Sequence, residues 1–178
     1  MSDAARFEAF VRQYQDMVFA TAVRLLGRDG DAEDVAQTVF LRAFERFAEL
    51  ADSPAVAGWL KTVTRNLCLN HLKRHRARWR LFSEVEPQTG GPSLEERITR
   101  LAAAPDELER IERAERLEQA LRNLPEQQRV PLVLFHFEEM AYQEIADLLG
   151  ISLAKVKTDI HRGREALRQT LDADHDRR

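Results

Sequence analysis

Apolar positions recur at helical spacing along almost the whole chain, and no segment shows the strict alternation of a half-buried strand. FEAFVRQYQDMVFATAVRLL predicts a first helix, with Phe7, Phe10, Val11, Tyr14, Val18, Val23 and Leu25 available to its buried side. GRDGD then stops it, Gly27 being suited to a left-handed cap. Asp31 predicts the N-cap of a second helix, AEDVAQTVFLRAFERFAEL, with Glu33 and Asp34 in a first turn where the helix dipole favours acids. Val35, Val39, Ala43 and Phe47, flanked by Phe40 and Phe44, form its apolar stripe. ADSPAVAG reads as a loop. A helix follows from Trp59, on which Leu60, Val63, Leu67 and His71 face inward.

Between Ser83 and Pro105 the character changes. SEVEPQTGGPSLEERITRLAAAP holds three prolines and two adjacent glycines, and reads as a linker with a short helical turn at Leu94–Leu101. Pro105 suits the start of a new helix, in which Leu108, Ile111, Leu117, Leu121 and Leu124 recur at helical spacing. Pro131 is expected to kink or restart the helix in RVPLVLF. The predicted class is all-α, with two small helical domains, 1–82 and 106–172, a linker at 83–105 and a frayed tail at 173–178.

YQEIADLLGISLAKVKTDIHRGREAL has the spacing of a helix-turn-helix. A short helix from Gln143 to Leu149 ends at Gly150, Ser152 caps the next helix, and Ala146 is small where two axes cross. Val156, Ile160, Gly163 and Leu167 share the inner face of the second helix. Ala154, Thr158 and His161 then point outward, with Lys155 and Arg162 on one flank and Lys157, Arg164 and Arg168 on the other. Such a surface offers donors to base edges and phosphates.

Charge sharpens the picture. The chain's formal net charge is −3, yet WLKTVTRNLCLNHLKRHRARWR holds seven basic residues (Lys61, Arg65, Lys73, Arg74, Arg76, Arg78 and Arg80) and no acid. On its helix Thr62, Arg65, Asn66 and Lys73 face outward, and Trp59, Asn66, Asn70 and Lys73 line one flank. Asparagines can bond base edges, the cations attract phosphate, and Trp59 can either stack or pack. The single cysteine, Cys68, rules out an internal disulfide and favours a reducing compartment. The N-terminus lacks a signal-peptide pattern, and no apolar run approaches the roughly 18–20 residues that span a bilayer, so a cytoplasmic protein is expected.

An enzyme is disfavoured: no Gly-rich phosphate loop, nucleophile elbow or paired carboxylates stand out. Cys68, His71 and His75 could bring three metal ligands together on one helix, but no fourth is evident. Neither a metal nor a cofactor is expected.

Taken together, these segments resemble the bacterial RNA polymerase sigma factors of the small extracytoplasmic-function group, over nearly the whole chain. DAEDVAQTVFLRAF is similar to the core-polymerase-binding helix of region 2, and WLKTVTRNLCLNHLKR to the helix that reads the minus-ten element. The segment LPEQQRVPLVLFHFEEMAYQEIADLLGISLAKVKTDIHRGREALR is similar to region 4, which reads the minus-thirty-five element.

The resemblance implies that Asp31, Glu33, Asp34 and Gln37 meet core RNA polymerase, which gives the acidic front a protein partner. It implies minus-ten contacts from Trp59, Thr62, Arg65, Asn66, Asn70, Lys73 and Arg74, with the loop before Trp59 receiving a flipped base. Minus-thirty-five contacts fall to Lys155, Lys157, Thr158, His161, Arg162 and Arg164. Promoter DNA and a cognate anti-sigma factor are the further partners it implies. Asp159 departs from the pattern, standing where many members have a base, as does Lys155 where a small hydroxyl residue is common. Pairing of Asp159 with Lys155 and Arg162 is expected. The competing reading is a stand-alone helix-turn-helix regulator, which has no need of an acidic helix followed by a basic one.

Overall fold

In the computed structural model, which describes residues 3–76 and 107–175, every regular element is an α-helix. The chain divides into two compact units, Met1–Ser83 and Glu84–Arg178. The expected linker, its helical turn and the helix start at Pro105 lie outside the described residues, as does the end of the tail.

The first unit is built on α1 (Asp3–Leu26), α2 (Asp29–Glu45), α3 (Phe47–Leu50) and α4 (Val56–Arg76). Helices α1, α2 and α4 pack on one another. Their shared core takes Val18, Ala22 and Leu25 from α1, Val35, Val39 and Ala43 from α2, and Leu60, Cys68 and Leu72 from α4. Burial of a leucine such as Leu60 contributes about 2 kcal/mol, and truncation to alanine would cost about 2–5 kcal/mol.

Gly27 adopts the left-handed conformation, φ 73°, and its N–H reaches Val23 O at 2.7 Å. The chain turns so tightly there that α2 begins two residues before Asp31. Arg28 therefore occupies the cap position, without a side-chain bond, and Asp31 sits inside the first turn. Nor does α2 reach Leu50. It ends at Arg46 (φ −116°, ψ 19°), where the bend carries the Phe47 ring to 5.2 Å from Phe7 and 5.5 Å from Phe10. Helix α4 takes in the last three residues of the expected loop, Val56 to Gly58.

The inner face of α4 is also rotated from expectation. Thr64, Cys68 and Leu69 are buried, whereas Val63, Leu67 and His71 are half-exposed. Thr64 tolerates burial because its hydroxyl donates to Leu60 O at 2.7 Å within the same helix.

The second unit comprises α5 (Glu107–Asn123), α6 (Glu126–His136), α7 (Tyr142–Leu149) and α8 (Leu153–His175). Its core joins Leu121 and Leu124 to Val130, Val133, Leu134, Ile145, Val156 and Ile160. Ile111 faces solvent rather than this core. Pro131 neither ends nor restarts α6, which runs through it. The buried Arg129 ties α6 to the turn that follows α5, its Nη1 donating to Leu124 O at 2.9 Å. Helices α6 and α8 approach so closely that a Cβ on Gly163 would stand 3.0 Å from Leu132 Cδ1 and 3.3 Å from Gln128 O. Helix α8 continues through His175, four residues past the expected end at Leu171, into the segment expected to fray.

Candidate nucleic-acid and partner interfaces

Helices α7 and α8 form the helix-turn-helix. Gly150 takes the left-handed position, φ 66°, and Ser152 Oγ accepts the Lys155 N–H at 3.1 Å, closing the first turn of α8. At the other end of α7, Glu144 accepts the Ala141 N–H at 2.7 Å. Ala146, Val156, Ile160 and Gly163 are buried, as their spacing predicts, and so is Ile145, while Leu167 is half-buried. The outward surface of α8 presents Ala154, Lys157, His161 and Arg162 to solvent, with Thr158 half-buried. Thr158 returns its hydroxyl proton to Ala154 O at 3.0 Å, leaving its lone pairs outward as acceptors.

Two of the predicted contacts on α8 are tied to the protein itself. Lys155 Nζ lies 3.1 Å from Oδ1 and 2.9 Å from Oδ2 of Asp159, whose carboxylate is buried. Arg162 makes no ion pair with Asp159 among the described residues, against the expected triad. Arg164 is half-buried, with its guanidinium 5.4 Å from the Phe135 ring centroid and its Nε donating to His136 Nε2 at 3.1 Å. Burial, then the Arg164 charge, push the His136 pKa below 6.5. The neutral imidazole is the form that can accept this bond.

On α4, Thr62, Asn66, Asn70, Lys73 and Arg74 are exposed, and Trp59 is half-buried. At 100° per residue Trp59, Thr62, Asn66, Asn70 and Lys73 share an arc of about 80°. This strip sets two amides beside an indole and a cation, a composition suited to unstacked bases and phosphate. Trp59 is held from behind by Arg46, whose guanidinium is 5.9 Å from the indole centroid and bonds Glu49 at 2.7 Å. Arg65 is not part of the strip: it is half-buried on another side, its Nε shielded from solvent.

On α2, Glu33, Asp34 and Gln37 are exposed on one side. Asp31 is turned toward α4, with Oδ2 3.6 Å from His71 Nε2. The same outer face continues through Leu41 and Phe44, which are 66% and 58% exposed. Phe44, expected to flank the buried stripe, sets its ring 4.9 Å from that of Phe7 while most of it stays open to solvent. The usable signal was the spacing Asp34, Gln37, Leu41, Phe44, which makes one continuous face of acids, amide and apolar groups. Such a face fits a protein partner that offers cations and apolar surface together.

Of the three residues considered as metal ligands, Cys68 is buried, His71 is turned to Asp31, and the His75 side chain lies outside the described residues. Among the described residues no group of three His, Cys, Asp or Glu is arranged to hold a metal, and no helix is long and apolar enough to cross a membrane.

Residues 10–78 match the model of the family Sigma-70 region 2, and residues 114–167 that of Sigma-70, region 4. The chain is 30% identical over 169 residues to the ECF RNA polymerase sigma factor SigW of Bacillus subtilis, covering 95% of this chain and 90% of that one. It is 36% identical over 169 residues to the ECF RNA polymerase sigma factor SigE of Mycolicibacterium smegmatis, covering 93% of this chain and 61% of that one. Among solved structures it is similar to the sigma factor RpoE in complex with the anti-sigma factor NepR from Bartonella quintana. That likeness has 19% identity and a TM-score of 0.48, over 94% of this chain and 98% of that one.

Proposed function

Because this chain belongs to the extracytoplasmic-function group of RNA polymerase sigma factors, we propose that it is a specificity subunit that binds core RNA polymerase and directs promoter-specific initiation. The observation that carries this reading is that one chain holds both sigma regions, each with its own outward polar surface.

Region 2 is assigned to residues 1–82 and region 4 to 106–172, with 83–105 between them. The α2 face, Glu33, Asp34 and Gln37 extended by Leu41 and Phe44, meets polymerase. The α4 strip of Trp59, Thr62, Asn66, Asn70 and Lys73 takes the minus-ten DNA. There, flipped bases can exchange stacking in the duplex for a fitted protein surface. Lys157, Thr158, His161 and Arg162 of α8 read the minus-thirty-five element in the major groove. The chain performs no chemistry itself; it places polymerase at a start site. A cognate anti-sigma factor is the further partner that membership implies, and the cytoplasm is the working compartment.

Multi-round transcription with purified core polymerase on genomic fragments, with and without the chain, tests this reading. Chain-dependent transcripts from defined starts are expected, and their upstream sequences would reveal both promoter elements. No new transcripts, together with a specific duplex footprint by the chain alone, would reassign it as a conventional helix-turn-helix regulator.

A further inference from the structure

Lys155 stands at the start of α8, among the outward residues, where a cation would ordinarily be counted as a phosphate contact. Its surroundings argue otherwise. Both bonds to the Asp159 carboxylate are short, 2.9 and 3.1 Å, and the Asp159 side chain is only 6% exposed. A lysine four residues N-terminal to an acid is the weaker order for a helical ion pair, and a cation in the first turn opposes the helix dipole. An exposed pair of this order would contribute little. What holds this one is burial: Asp159 is the one buried carboxylate of the described residues, and moving Lys155 to DNA would leave that charge in low dielectric without a counter-ion.

We infer that Asp159 is a positioning residue that withdraws Lys155 from the DNA-contacting set, so that the pair braces the first two turns of α8 while contributing no phosphate contact. The inference rests on α8 being the DNA-facing helix. Asp159 then sets how much of the affinity is sequence-independent. With Lys155 neutralised, the N-terminal end of the reading helix shows DNA the Ala154 methyl and a closed ion pair, and the backbone contacts fall to residues further along.

The salt dependence of binding decides the matter, because each phosphate neutralised on duplex DNA steepens the slope of log Kobs against log salt by about 0.9. Holoenzyme is reconstituted from the full chain and core polymerase. The probe is a fluorescent duplex spanning the upstream half of a promoter that this holoenzyme transcribes. The double variant Lys155→Met/Asp159→Leu preserves net charge and refills the buried site with apolar volume. Its slope is expected to equal that of the parent. Asp159→Ala alone should steepen the slope by about 0.9, as the released lysine finds a phosphate, and this gain should vanish when Lys155 is also methionine.

A double variant whose slope is shallower by about 0.9 would overturn the inference, because Lys155 would then be a contact in the native protein. Arg162→Ala serves as the control on the underlying reading and should make the slope shallower. If neither Arg162→Ala nor Lys157→Ala changes it, α8 is not the DNA-facing helix and both readings fall. Far-UV circular dichroism confirms that each variant retains its helices.

Discussion

Arg164 donates through Nε to His136 Nε2 at 3.1 Å, tying the middle of α8 to the last turn of α6. The bond requires an unprotonated imidazole, and both burial and the guanidinium charge lower the His136 pKa from 6.5. In the unfolded chain the same group titrates near 6.5. Below that pH the unfolded state takes up the proton more readily than the folded state. This contribution is therefore complete above about pH 6.5 and is lost as pH falls from there toward the lowered folded value. Urea midpoints of the full chain measured from pH 7.5 to 5.5 should fall on acidification, and His136→Gln should flatten the fall. An unchanged pH profile in the glutamine variant would remove His136 from the explanation.

Leu41 is 66% exposed on α2, so replacing it should leave the fold alone and act on the partner. Leu41→Glu is expected to weaken association with core polymerase at least about tenfold, on the order of 1.4 kcal/mol, with an unfolding midpoint close to that of the parent. Asp34→Lys should behave alike, by presenting a like charge to a basic partner. Co-purification with core polymerase reads both variants. Undiminished capture would place the polymerase on another surface.

Asn66 and Asn70 lie on the exposed strip of α4, and neither belongs to the α2 face. Asn66→Ala and Asn70→Ala are each expected to cost about 1–3 kcal/mol in promoter discrimination while leaving polymerase binding intact. Transcription competition between promoters with matched and altered minus-ten elements measures the first effect, and co-purification the second. Loss of polymerase binding in either variant would contradict the separation of the two surfaces.

Glu139 has φ 54°, and it is the only non-glycine residue with positive φ among those described. A side chain in that region costs about 1–2 kcal/mol. Glycine has no such penalty, though it adds freedom to the unfolded chain. Glu139→Gly should raise the stability of the C-terminal unit by about 1 kcal/mol, visible in thermal or urea unfolding. A lower midpoint would mean that the carboxylate makes a compensating interaction.

The helix-turn-helix was the most legible part of the sequence because each of its constraints is local. Gly150 must turn left-handed, Ser152 must cap, and the inner face is set by residues three and four apart. Where tertiary packing decides, periodicity was a poorer guide. Helix α4 is packed against both α1 and α2, so its buried arc is wider than a stripe. It includes Thr64, whose hydroxyl is satisfied inside its own helix. The break at Arg46 follows from the aromatic cluster around Phe7 and Phe10, sequence-distant rings that pull Phe47 out of line with α2. The same limit applies to chemistry. Lys155 and Arg164 read as outward cations by their spacing, yet one is held by a buried carboxylate and the other by an imidazole contributed from α6.

Cys68 is the sole thiol of the chain and is wholly enclosed within the N-terminal unit. A thiolate-seeking reagent can reach it only when the helices around it separate, so alkylation of the native protein times that separation. The residue is thus a built-in clock for the N-terminal unit. Mixed with core polymerase, the clock should slow, because a partner that binds only the closed form lowers the population of the open one.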